Sequence, residues 1–139
     1  MSEIHRTDAT LRFFSDDLDP AEITAILGGV PAVGVKKGGA WLAKGGKEIV
    51  ARRGSWRLKA PRRTPGDLDW QIGFLFSALT ANIDAWKDLA SRFQADIFCG
   101  VGLSVANEGL QLKPTTLVAV GARGLNLGLD IYSSEMPQN

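Results

Sequence analysis

One histidine, His5, and one cysteine, Cys99, are all that the 139-residue chain holds of those two residue types, and each scarcity excludes chemistry. A nucleophilic hydrolase needs a base beside its nucleophile, usually histidine. His5 stands in a polar stretch, Met1 to Asp8, that reads as a frayed tail. A lone His and a lone Cys far apart in the chain make no zinc ligand set. One cysteine cannot close an internal disulfide, so Cys99 reads as a small apolar core residue. No apolar run approaches the roughly 18 residues of a membrane helix. The opening residues lack the basic, apolar and small-residue succession of a signal peptide. A phosphate loop is missing as well. Gly100-Val-Gly-Leu-Ser-Val105 begins like a dinucleotide fingerprint, yet it lacks the third glycine and falls inside a strand pattern. The expectation is a cytoplasmic protein with no catalytic residue, no metal, no cofactor and no membrane association.

What the chain does have is an uneven charge. Residues 1–35 carry six acids and two bases, residues 36–63 ten bases and one acid, and residues 64–139 eight acids and four bases. The formal net charge of +1 therefore hides a cationic segment between two acidic ones. Hydrophobic residues at 45% and charged residues at 22% suit one globular domain spanning residues 1–139. Its core is expected over residues 9–133, with loose tails at 1–8 and 133–139.

The alternation Ala9, Leu11, Phe13 against Thr10, Arg12, Phe14 predicts a first strand. A helix start follows: Asp19 as cap, Pro20 in the first turn, Glu22 as the acid of a capping box, and Leu18 with Ile23 as a hydrophobic staple. A cap of this kind is worth about 1 kcal/mol. Gly28 and Gly29 end that helix. Glycine pairs at 38–39 and 45–46 mark turns between short strand patterns at 33–37, 40–44 and 49–53, followed by Gly54–Lys59. They describe a basic hairpin or meander over residues 36–63. Leu68, Ile72, Leu75, Phe76 and Leu79, then Ile83, Trp86, Leu89 and Phe93, recur at helical spacing. Two helices, or one bent near Ala81-Asn82, fit equally well. Ile97, Cys99, Val101 and Leu103 predict a half-buried strand, as do Leu125, Leu127, Leu129 and Ile131. Between them come a short partner strand at Leu110–Leu112 and a third helix that Pro114 opens and Gly124 closes.

Strand, helix, strands, helices and strand in this order predict an α+β fold. The closest pattern is a ferredoxin-like sandwich, a mainly antiparallel sheet with helices packed on one face. The pattern occurs nearly twice, once per half, which suggests two related halves without a sequence repeat that amounts to duplication. Several motifs together resemble one bacterial family. They are Phe14-Ser-Asp-Asp-Leu-Asp-Pro-Ala-Glu-Ile-Thr-Ala-Ile-Leu-Gly28, the Lys-Lys-Gly-Gly at 36–39, Gly54-Ser-Trp-Arg-Leu58, Leu68-Asp-Trp70 with Leu75, Asp96-Ile-Phe-Cys-Gly100 and Leu129-Asp-Ile-Tyr132. The family is the one known as domain of unknown function 4279, and the resemblance covers about residues 9–133. A Trp expected shortly before the Lys-Gly is replaced here by Val33-Gly-Val-Lys36. The resemblance implies a small bacterial cytosolic protein and no particular activity. An immunity-type role, neutralising a toxin by binding it, fits the class.

Candidate binding residues lie in the cationic segment: Lys36, Lys37, Arg52, Arg53 and Arg57, accompanied by Trp41 and Trp56. Such a surface suits an acidic protein partner, whose capture it would speed. Phosphates with stacked bases, as in a nucleic acid or a phosphorylated ligand, are the alternative. The same lysines could simply keep a hairpin solvated and its edges unpaired, and both tryptophans also suit a core. Asp96 and Asp130 share the small, polar side of their strands and would form a carboxylate pair if those strands meet in register. The glycines at 100, 102 and 128 leave that side open to a second sheet, predicting a homodimer packed through it.

Overall fold

The computed structural model describes residues 4–133. Chain order runs through β1 (Arg6–Ser15), α1 (Pro20–Leu27), β2 (Val33–Val35), β3 (Ala40–Leu42), β4 (Glu48–Val50) and β5 (Gly54–Lys59). There follow α2 (Leu68–Ser77), α3 (Ile83–Arg92), β6 (Gln94–Leu103), α4 (Pro114–Ala122) and β7 (Asn126–Ser133). Five strands form one sheet in the order β2-β5-β1-β6-β7, while β3 and β4 pair only with each other. The neighbours are antiparallel except β6 and β7, which run parallel. With the β3–β4 hairpin set aside, β1-α1-β2-β5-α2/α3-β6 has the β-α-β-β-α-β connectivity of a split βαβ unit. The α4-β7 extension adds a parallel edge. The fold is α+β with a mixed sheet, and the second half does not repeat the first.

Period-two alternation decides which side of the sheet is covered. Ala9, Leu11 and Phe13 of β1, Trp56 of β5 and Ile97, Cys99 and Val101 of β6 are buried against Ile23, Leu68, Ile72, Leu75, Trp86 and Leu89 of the helices. Phe13 sits between two indoles, its ring centroid 5.9 Å from Trp56 and 6.4 Å from Trp86. Each such side chain contributes roughly 1.5–3 kcal/mol by leaving water.

Local signals place the helices. Asp19 accepts from the backbone N–H of Ala21 at 3.0 Å, and Gly28 ends α1 with φ of 91°. Leu18 and Ile23 are both buried, as the staple requires. The capping box does not form, because the Glu22 carboxylate reaches away to Arg92 of α3 at 2.6 Å. Asn82 caps α3, so the long helical pattern is two helices. Lys113 precedes α4 without a side-chain cap of its own; instead Asp69 of α2 accepts from Lys113 N and from Thr116 Oγ1.

Two expectations fail for tertiary reasons. Residues 4–8 are not loose: Ile4 is buried, β1 begins at Arg6, and the fully buried Thr7 donates to Gln71 Oε1 at 2.6 Å. Gln71 in turn donates to the Thr7 and Pro61 carbonyls, so this polar pair is satisfied. Leu110–Leu112 forms no strand. Of the tail expected at 133–139, Ser133 closes β7 and residues 134–139 lie outside the described residues.

Candidate functional site

The uncovered side of the sheet carries the site. Phe14 points there because Phe13 points to the helices. Its ring is faced by three guanidinium groups: Arg12 at 5.0 Å, Arg53 at 5.2 Å and Arg57 at 5.2 Å. Arg12 and Arg57 stand directly opposite each other on β1 and β5, and Gln94 lies opposite Phe14 on β6. Arg53 comes from the bend between β4 and β5 and donates to Gln94 Oε1 at 2.9 Å. The β3–β4 hairpin curls over this end of the sheet and brings Trp41 and Ile49 as the far wall. Its turn is built on Gly45 and Gly46, at φ of 90° and 82°, which lets Ala43 N–H close onto the Lys47 carbonyl at 2.7 Å.

The result is a cleft of about 330 Å³ lined by Phe14, Trp41, Ile49, Val50, Ala51, Arg52, Arg53, Ser55, Arg57 and Gln94. None of these residues is acidic. Two carboxylates lie nearby: Asp96, which Arg12 holds in a fork, Nε to Oδ1 at 2.9 Å and Nη2 to Oδ2 at 2.7 Å, and Asp16, which lines an adjoining hollow with Phe14, Arg52, Arg53 and Gln94 and pairs with Lys37 at 3.4 Å. Among the described residues Arg57 has no carboxylate partner and donates only to Ser55 Oγ at 3.1 Å. Burial depresses its pKa first and the Arg12 charge second, with Asp96 pulling the other way. A guanidinium remains charged regardless, so the cleft holds positive charge poorly compensated by the protein. An anion placed there would gain charge-assisted hydrogen bonds in a partly dehydrated setting.

The predicted residues divide into four groups. Trp41, Arg52, Arg53 and Arg57 meet in the cleft. Lys36 and Lys37 lie beside it, engaged with Asp19 at 3.6 Å and Asp16 at 3.4 Å. Trp56 is fully buried, and its indole N–H donates to Thr24 Oγ1 at 3.0 Å, so it belongs to the core. Asp130 faces the same side but stands opposite Gly100, roughly 20 Å along the strands from Gln94. The carboxylate pair with Asp96 does not form. Parallel pairing puts Asp96 opposite Asn126, four residues from Asp130. Nor do the cations make one projecting ribbon: Arg62 pairs with Asp8 at 2.9 Å and Arg63 lies over Trp70.

The glycine side is also occupied from within. A Cβ on Gly102 would come within 3.2–3.3 Å of the Tyr132 ring, whose hydroxyl accepts from Arg6. Tyr132 therefore takes up the space beside Gly102. Cys99, fully buried, has its pKa pushed up to about 12 by burial and then by Asp96, which keeps the thiol inert. No group of three or more potential metal ligands occurs among the described residues.

Sequence reasoning missed Arg12, Phe14, Ser55, Ile49 and Gln94. One signal for them was present: Phe14 is an aromatic residue on the otherwise polar side of an alternating strand, next to an arginine two residues away.

A family model described as domain of unknown function (DUF4279) matches residues 2–134. No curated protein and no solved structure matches the chain. Among the described residues no helix is long and apolar enough to cross a membrane.

Proposed function

Because the chain belongs to the DUF4279 family, whose description names no activity, we propose its function from the cleft: a non-catalytic interaction protein that captures an acidic protein partner. One observation carries this reading. Three arginines converge on Phe14 and a fourth, Arg52, lines the same cleft, while no lining residue is acidic. Arginine fits the role because its planar fork meets carboxylates in pairs and stacks on aromatic rings. Trp41 and Phe14 supply apolar surface to a side chain next to the captured carboxylate. An immunity-type role, with a toxin as the acidic partner, is one form of this function. The bacterial cytoplasm is the setting that the family resemblance implies.

The cleft's size favours a second reading. A volume of about 330 Å³ falls at the lower end of small-ligand pockets, so a phosphorylated small molecule is the alternative occupant. Calorimetric titration separates the two. An acidic polypeptide is titrated into the protein beside inorganic pyrophosphate and a single-stranded RNA of matched charge, at fixed ionic strength because all three weaken with salt. Tighter binding of the polypeptide, lost in Arg53→Glu and Arg57→Glu, supports the leading reading. Tighter binding of pyrophosphate or RNA replaces it. Binding that survives both charge reversals overturns the site.

A further inference from the structure

The outer edge of β7 is built for pairing, and the occupant it fits is a second copy of itself. β7 is eight residues long and hydrogen-bonds to β6 on one side; among the described residues no strand pairs with its other side. Exposed edges in soluble proteins are protected by shortness, charged side chains (lysine above all), proline, a bulge or a covering segment. Of these, the described residues give β7 only the single carboxylate of Asp130. Asn-Leu-Gly-Leu-Asp-Ile-Tyr-Ser contains no Lys, Arg or Pro, and its register with β6 runs unbroken from Asn126 to Ser133. The opposite edge, β2, has only three residues. On the helix side of β7, Leu129 is 44% exposed and Ile131 59% exposed. α4, which packs on β7, adds the exposed Leu117 and Val118.

We propose that β7 pairs antiparallel with β7 of a second copy about a two-fold axis through Leu129. The register follows from charge and side-chain parity. Centring on Leu129 pairs residues 126–132, with Leu129 opposite itself, Leu127 opposite the partner's Ile131 and Gly128 opposite the partner's Asp130. Apolar residues then meet apolar residues, and the strand's only carboxylate faces a glycine. Centring on Asp130 would set that carboxylate against its own copy, which is unfavourable. Centring on Gly128 shortens the ladder. A two-fold contact is self-complementary in the required way, and the sheet becomes a continuous ten-stranded one. This surface is separate from the cleft and from the glycine side.

Light scattering on the full chain at about 100 μM tests the pairing, which predicts twice the monomer mass of 14.9 kDa. Leu129→Lys, which sets two ammonium groups face to face, brings the mass down to the monomer while far-UV circular dichroism stays unchanged. Val30→Lys, at an 83% exposed site elsewhere, leaves the dimer intact. Cysteine cross-linking reads the register independently, since Cys99 is fully buried. Oxidation links Leu129→Cys to its own copy. It leaves Ile131→Cys unlinked, because those two positions are then about 13 Å apart and a disulfide spans less than about 7 Å between Cα atoms. A monomeric wild type overturns the proposal, whatever other chain then covers the edge. A dimer that persists in Leu129→Lys, or equal cross-linking at both positions, overturns it as well.

Discussion

Phe13 and Phe14 share a residue type and a peptide bond, but one faces the helices and the other faces the arginines. Phe13 is fully buried between Trp56 and Trp86, held by close packing on every side. Phe14 is half-buried, and what surrounds it is positive charge: Arg12, Arg53 and Arg57. The two faces of one sheet therefore rest on different physics. The covered face is stabilised by removing apolar area from water. On the open face, rings serve as supports that spread and align guanidinium groups, each worth about 0.5–1 kcal/mol where solvent reaches it. One face gives the fold its stability, and the other carries the cleft proposed to bind.

The largest expected effect probes that division directly. Phe13→Ala should cost about 3–5 kcal/mol in urea denaturation, the usual range for emptying a well-packed aromatic site. Phe14→Ala should cost about 1 kcal/mol. Equal losses at the two positions would mean that the open face is a second core and the distinction is false.

Next in size is a pH effect confined to the covered face. The Cys99 thiol ionises near 9.0 when exposed and is pushed up to about 12 in the fold. Between those values the unfolded chain has lost a proton that the folded chain keeps, so stability falls as pH rises from about 9 towards 12. The slope approaches 1.4 kcal/mol per pH unit for one proton, and it is absent below pH 9. Cys99→Ala should flatten the curve by that amount when denaturation midpoints are compared across pH.

Charge reversal sharpens the other half of the comparison. Arg53→Glu or Arg57→Glu should weaken binding of the acidic polypeptide at least tenfold, about 1.4 kcal/mol, by calorimetry. Both should leave thermal stability nearly unchanged, since among the described residues neither guanidinium has a carboxylate partner to lose. A large drop in stability with unaltered affinity would assign these arginines to the fold. The smallest effect belongs to Trp41→Ala. The β3–β4 hairpin pairs only with itself and Trp41 is half-buried. Stability should therefore shift by less than about 0.5 kcal/mol, while affinity for a ligand carrying an apolar group falls.

Much of the scaffold was legible because its signals are local. Asp19-Pro20 and Gly28 bound the first helix, and alternation in residues 9–15 and 97–103 names the buried side of β1 and β6, whereas the pattern around Asn82 admits two helices or one bent helix. These depend on backbone geometry and the spacing of a few residues. The capping box at Glu22 failed because a carboxylate free to choose took a guanidinium from another helix, a partner that no local pattern reveals. Leu129 and Ile131 read as half-buried by the same alternation that served β6, yet they lie exposed on an edge strand. Burial depends on which strand ends up outermost.

The sequence by itself determined the α+β class, the family, the concentration of positive charge in residues 36–63 and the reading of Cys99 as a small core residue, since each follows from composition or short-range pattern. Only the tertiary structure decided where that charge acts. It buried Trp56 under the helices, paired Lys36, Lys37 and Arg62 with acids from distant segments, and drew Phe14 and Gln94 into one cleft with Arg53 and Arg57, with Arg12 over the Phe14 ring. A site assembled from five strands is set by register and strand order. Those are chosen by the packing of the whole chain, so no single stretch of residues encodes them.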